Sequence, residues 1–179
     1  MINTLRQTCL QLMILMLGYV SLACQAQQVS QLPLDCYKVP LQPKEYCMVT
    51  TRSAYGPFDD AVFYLKDQGE LQFLRSVSGQ VATYGFIGFS VRGQYAVEAW
   101  AEEGHPIFMF YRSQQLLSPD AEPLLVFAKY PFAHVDQIND DGSAVVGSHE
   151  PFNAGQCDEV PKQLALEDPD NCHRVLRFK

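Results

Sequence analysis

The chain has 179 residues, of which 47% are hydrophobic and 18% charged, and it carries a formal net charge of −7. That length suits a single domain. The acidic balance, with no stripe of cations, excludes nucleic acid and anionic membrane surfaces as natural partners.

Residues 1–26 read as a cleaved signal peptide. Arg6 supplies a weak positive start, residues 10–22 are largely apolar, and small residues follow. The apolar run is short for a membrane span, and no second candidate follows it. A buried N-terminal helix is the bland alternative, but Gly18 and the small-residue exit suit processing better. Cleavage after Ala23 or Ala26 gives soluble export to the periplasm or beyond. Val20-Ser21-Leu22-Ala23-Cys24 also resembles a bacterial lipobox, with Ser21 where leucine is usual. Lipidation of Cys24 would make an outer-membrane lipoprotein, the one case in which a membrane is a partner.

Removing 1–26 leaves one domain, 27–179, with all 20 acidic residues and 12 of the 13 basic ones. Four cysteines remain: Cys36, Cys47, Cys157 and Cys172. An even number in an exported chain implies two disulfides. Cys36–Cys47 with Cys157–Cys172 is one pairing; Cys36–Cys172 with Cys47–Cys157 is its rival. No C-x-x-C or H-x-x-x-H spacing signals zinc, and the composition implies no cofactor.

In chain order, 29–35 (VSQLPLD) alternates in polarity around Pro33, as an edge strand can. Residues 36–51 form a weak hairpin. Residues 45–52, 61–67 and 71–77 read as strands rich in β-branched and aromatic side chains, with a Gly-Pro loop at 53–60. A second hairpin joins 84–90 to 94–101 around Val91-Arg92-Gly93. The run 107–112 (IFMFYR) is apolar at every position but its end, so it predicts a strand covered on both faces. A connection at 113–123 leads to a strand at 124–130. The third hairpin, 132–150, turns at Asn139-Asp140-Asp141-Gly142, residues that tolerate left-handed backbone. An excursion over 152–171 then precedes a last strand at 173–179. Only 161–168, inside the excursion, has a helical character.

Superposing Gly142, Gly93 and Glu45 gives spacings of 49 and 48 residues, a repeat signature. The expectation is an all-β domain of about three four-stranded antiparallel units, each of roughly 48 residues. The third unit lacks a fourth strand, and the spare 29–35 is placed to supply it.

FSVRGQYAV (89–97) resembles the hairpin of TolB-type propeller repeats, F-S-P-D-G followed by apolar residues. INDDGSAVVG (138–147) is similar to the HAF-type repeat of exported bacterial proteins, I-N-x-x-G-x-V-V-G. The resemblance covers two of the three units, and the first lacks the glycine. It implies four-stranded blades whose second-to-third strand loops share the ligand-receiving face. Three units are fewer than a propeller needs, so a partial ring, a trefoil-like closure and a barrel or sandwich all stay open.

The sequence shows no catalytic signature. Gly88-Phe89-Ser90-Val91-Arg92 lacks the last glycine of a nucleophile elbow and sits at a hairpin. Asn139, Asp141 and Gly142 lack the remaining ligands of a calcium loop. With Ile138 opposite Ser143, the alternation puts Phe132, His134, Asp136 and His149 on one face, a set that could bind metal or exchange protons. No further ligand is placed by the sequence, and a polar outer face is the plainer reading. Trp100, Phe108, Phe110 and Tyr111 suit a sugar platform or, more simply, a core. The excursion between Cys157 and Cys172 is acidic: Asp158, Glu159, Glu167, Asp168 and Asp170 stand against Lys162 alone. Long loops on a rigid sheet carry binding. The leading expectation is therefore a non-catalytic binding module for an envelope or extracellular partner. A small periplasmic hydrolase or metal-binding protein using His134, Asp136 and His149 is one alternative, and a structural lipoprotein is the other.

Overall fold

Turn chemistry and strand alternation decide the local structure, and the three hairpins foreseen in the sequence are the skeleton of the fold. The computed structural model describes residues 33–52, 59–81, 83–102, 105–128, 132–148 and 172–178. Sheet A holds β1 (Asp35–Lys38), β2 (Lys44–Arg52), β3 (Asp59–Asp67) and β4 (Glu70–Val81) in that order. Sheet B holds β5 (Thr83–Phe89), β6 (Tyr95–Glu102), β7 (His105–Arg112) and β8 (Leu125–Phe127), also in order. Sheet C holds β9 (His134–Ile138), β10 (Ser143–Ser148) and β11 (Cys172–Arg177). Every pairing is antiparallel, so each sheet is a simple meander. The chain is all-β with three small sheets. One turn of helix, α1 (Ser113–Leu116), interrupts the connection that the sequence left irregular.

The sheets are layered, with B between A and C. Alternation along β6 and β7 makes this work, because each presents apolar side chains to both sides. Met109 and Tyr111 join Tyr46, Phe63 and Leu74 in the core between A and B. Phe108 and Phe110 join Val97, Ala144 and Val146 in the core between B and C. Phe178, just past β11, closes this second core. Its ring stacks on Phe110 at 4.9 Å and meets Tyr95 edge-on at 5.3 Å. Residues 34–179 form one unit, and 1–33 separate from it as another, of which only Pro33 is described.

The three first-hairpin turns meet at one end. Each contains the same turn bond: Gln42 N–H to Val39 O, Gly93 N–H to Ser90 O, and Gly142 N–H to Asn139 O. The equivalent residues are thus Val39, Ser90 and Asn139. Glu45 does not match Gly93; it lies within β2, and the left-handed residue of the first turn is Leu41, with φ of 62°. Gln42 holds the place of the two glycines, and that hid the turn from a search for glycine. Neighbouring turns touch. The Asp140 carboxylate accepts from Ser90 Oγ at 2.6 Å and from the Arg92 N–H at 3.1 Å. Ser90 Oγ in turn accepts the N–H groups of Gln94 and Tyr95, each at 3.1 Å. Ser90 is therefore buried turn structure. Gly93, at φ of 69°, lies so near the first turn that a Cβ would come within 3.0 Å of Pro40 O. Because each sheet is a meander, the β2–β3, β6–β7 and β10–β11 junctions lie at the far end from these turns.

Cys36 faces Cys47 across β1 and β2 and is bonded to it. Closing so short a loop stabilises the fold by about 2–3 kcal/mol through the unfolded chain. Cys172 is also disulfide-bonded, its partner lying outside the described residues. The bond between Cys36 and Cys47 excludes the pairing that joined Cys36 to Cys172. Among the described residues no helix is long and apolar enough to cross a membrane. A disulfide together with that is compatible with an exported protein. Asp35, the end of the spare segment 29–35, pairs with Met48 in sheet A, while 29–32 lie outside the described residues. Sheet C shows three strands among the described residues.

Candidate functional site

Two places gather polar chemistry among the described residues. The first is a cleft of about 720 Å³ between sheets A and B. Phe63 and β4 form one wall, and Trp100, Ile107, Met109 and Tyr111 form the other. Its floor is charged. Glu98 is 3% exposed, the one charge within the apolar run 95–101 of β6. Its carboxylate accepts from the Arg75 guanidinium at 2.7 Å and from the Tyr46 hydroxyl. Arg75 also donates to Tyr46 Oη at 2.9 Å and to the Leu116 carbonyl at 3.0 Å, and it lies 4.4 Å from the Phe63 ring centroid. The α1 turn therefore serves the site by aiming its last carbonyl at Arg75.

The electrostatics follow from burial. Desolvation raises the Tyr46 phenol well above its usual range, and the Glu98 carboxylate adds to the effect. Tyr111 is raised for the same two reasons, and Tyr84 is pushed up to about 12. Burial lowers Arg75, but Glu98 and the phenols outweigh it, so the guanidinium is held more firmly charged. The floor is thus a neutral pair of fixed dipoles ringed by protonated phenols. Above it the Trp100 Nε1 and Tyr84 hydroxyl, both sheltered from solvent, have no hydrogen-bond partner among the described residues. Their rings meet edge-on at 5.4 Å. A second hollow of about 570 Å³ lies at the turn end, beside Lys44 and Arg112, and lacks these aromatic walls.

The second place lies on sheet C. His134 on β9 pairs with Gly147 on β10, and Gly147 pairs with His173 on β11. Ile138 stands opposite Ala144 and not Ser143, because the β9–β10 register shifts by one residue between Val145 and Val146. The extra residue is Asp136, a bulge, and this brings its carboxylate towards both rings. His134 Nε2 lies 3.1 Å from Asp136 Oδ1, and His173 Nε2 lies 3.5 Å from Oδ2. Phe132 precedes the strand, 65% exposed at φ of 56°, and is not a member of this face.

The sequence-derived candidates fare unequally. His134 and Asp136 come together as the hairpin implied, joined by His173, which the sequence offered only as the start of a strand. His149, Cys24, Cys157 and the acidic Asp158, Glu159, Glu167, Asp168 and Asp170 lie outside the described residues. The four aromatics do not make one platform: Trp100 and Tyr111 face sheet A, while Phe108 and Phe110 are core against sheet C. Glu98 and Arg75 went unnoticed. Glu98 had a signal, a charge inside the otherwise apolar run 95–101, which marks a buried pair or a site, whereas Arg75 stands in the mixed strand β4 and had none.

Comparison with protein-family models, with curated proteins and with solved structures finds no match. The likeness to TolB-type and HAF-type repeats rests on the two hairpin motifs alone.

Proposed function

We propose that the chain is an exported, non-catalytic binding module of the bacterial envelope or exterior, and that its ligand is a small neutral polyhydroxylated molecule, such as a sugar unit, held in the cleft between sheets A and B. One observation carries this reading: a cavity with aromatic walls that also holds a buried Arg75–Glu98 pair and a Trp100 N–H with no partner among the described residues. Binding sites combine apolar walls with a few convergent polar groups in this way. The internally neutral floor disfavours a charged ligand, while its fixed donors and acceptors suit hydroxyls. Apolar ring faces of a sugar match Trp100 and Tyr111. The cleft runs towards the β2–β3 and β6–β7 junctions, since Trp100 pairs with Ile107 two positions from β6's end. This supports a role for the loops there. The four-stranded units, in this reading, are blades of an incomplete propeller, whose ring closes through further strands or a second copy.

Trp100 is the only tryptophan, so the ligand reports on itself. Titrating the disulfide-intact protein with neutral oligosaccharides should change its fluorescence saturably, and calorimetry should show binding lost on Ala121→Phe, which puts a ring into the cleft from a residue that lines it. Saturable binding that survives Ala121→Phe, or no response to any neutral saccharide, refutes the assignment.

A further inference from the structure

We infer that the hollow at the turn end, between the first turn of sheet A and the end of β7, is a binding site for a small organic oxyanion, a phosphate or carboxylate group carried on a polyhydroxylated body. It shares no lining residue with the cleft and stands whether or not the cleft takes a neutral ligand.

Strand ends build the site. Each sheet is an antiparallel meander, so the start of β2 and the end of β7 come to the same end of the fold as the turns, and they bring Lys44 and Arg112 there. Gln94, just before β6, accepts the Ser113 N–H on its carbonyl at 3.0 Å, which ties the start of β6 to the end of β7. Gln42 comes from the first turn and Gln114 from α1. The hollow of about 570 Å³ is thus lined by two cations, three carboxamides and a serine, and no acidic side chain lines it among the described residues. That lining runs against the chain as a whole, whose net charge is −7. Such a field repels anions at long range, so two cations around a hollow free of carboxylates are a local exception to it.

The donors are available. Arg112 has no hydrogen bond or ion pair among the described residues. Lys44 reaches Asp67 at 3.5 Å, with side chains 36% and 43% exposed. An exposed pair of that kind contributes little, so Lys44 exchanges it for an anion at small cost. The planar fork of Arg112 fits two oxygens of one group, and Lys44 completes the neutralisation as a point charge. Glutamine both donates and accepts, as the hydroxyls of a polar body require. Ser113 supplies an independent sign. It is 3% exposed, and its Oγ has no hydrogen-bond partner among the described residues. Buried hydroxyls are nearly always paired, and this one turns about a single bond, so a ligand oxygen in the hollow would supply the acceptor that the fold does not. The volume lies within the roughly 300–1,000 Å³ of small-molecule sites and leaves room for a body beyond the anionic group.

The test is calorimetry at low salt, where charge is least screened, on the disulfide-intact protein with inorganic phosphate, glycerol phosphate and glucuronate as probes. Glycerol phosphate or glucuronate should bind saturably, one per chain and more tightly than inorganic phosphate, and the better of the two identifies the anionic group. Binding should persist in Ala121→Phe, which obstructs the cleft alone. Arg112→Gln and Lys44→Gln should each weaken it by about tenfold, the scale of a hydrogen bond to a charged group. Arg92→Gln removes an exposed cation at the same end but outside the hollow, and it should leave the affinity unchanged. Arg112 is exposed and Lys44 half-buried, so both variants should fold, and circular dichroism checks this. Absence of saturable binding by either organic probe overturns the assignment. So does an affinity that Arg112→Gln and Lys44→Gln leave untouched, an equal loss in Arg92→Gln, or a loss in Ala121→Phe.

Discussion

Consider removing the carboxylate beneath the cleft by Glu98→Leu. The substitution strands the Arg75 guanidinium, whose side chain is 16% exposed, without its counter-charge. It also deprives the Tyr46 and Tyr111 hydroxyls of their acceptor. Breaking a buried pair from one side costs about 3–5 kcal/mol, against a total stability of roughly 5–15 kcal/mol for a domain. Adding Arg75→Met removes the stranded charge and restores apolar contact with Phe63. What remains is two buried hydroxyls, worth about 1–3 kcal/mol each at most. Adding Tyr46→Phe, at a side chain with no exposure, removes one of those. The single variant should therefore be the least stable, the double better and the triple better again. Urea denaturation followed by far-ultraviolet circular dichroism reads this order without relying on Trp100, which lines the cleft. Coupling between positions 75 and 98 should exceed about 1 kcal/mol in the double-mutant cycle. A double variant less stable than Glu98→Leu would refute the reasoning, because it would mean that Arg75 contributes chiefly through packing.

The turn-to-turn contact predicts that Asp140→Ala costs about 1.5–3 kcal/mol in urea denaturation, the range for hydrogen bonds to a charged group, since Ser90 Oγ and the Arg92 N–H both lose their acceptor. Asp140→Asn should recover part of it; a neutral result for Asp140→Ala would show that the turns merely abut. Alkali should also destabilise the fold. The unfolded phenol ionises near pH 10, whereas Tyr84 keeps its proton to about 12 and Tyr46 and Tyr111 are raised as well. Their contribution is complete below about pH 10 and is lost as the pH rises through the folded values. The urea midpoint should fall between about pH 9.5 and 11.5, ahead of the phenolate absorbance of the native protein, and a flat midpoint across that window would contradict the burial of these phenols.

Much of the fold was legible because its signals are local. Turn residues with left-handed backbone marked the second and third hairpins, and alternating side chains marked the strands between them. IFMFYR read as a doubly covered strand, and β7 lies between two cores. Local signals failed where a residue acts against its type. In the first turn the left-handed residue is Leu41, and Gln42 holds the place that glycine holds in the other turns, so the first hairpin was aligned on Glu45 instead. Asp136 forms a bulge, and a bulge leaves no mark in the alternation that a ladder register is read from.

From its order of residues alone the chain is committed to antiparallel hairpins in three clusters, because backbone hydrogen bonding and side-chain alternation act over a few neighbours. Which side chains meet across those clusters is another matter. Arg75 reaches Glu98 only because sheet A lies on sheet B, and His173 reaches Asp136 only because β11 lies beside β10. Such meetings depend on how whole sheets stack and slip. That is settled by the shared burial of dozens of apolar side chains, a quantity that no short stretch of sequence contains.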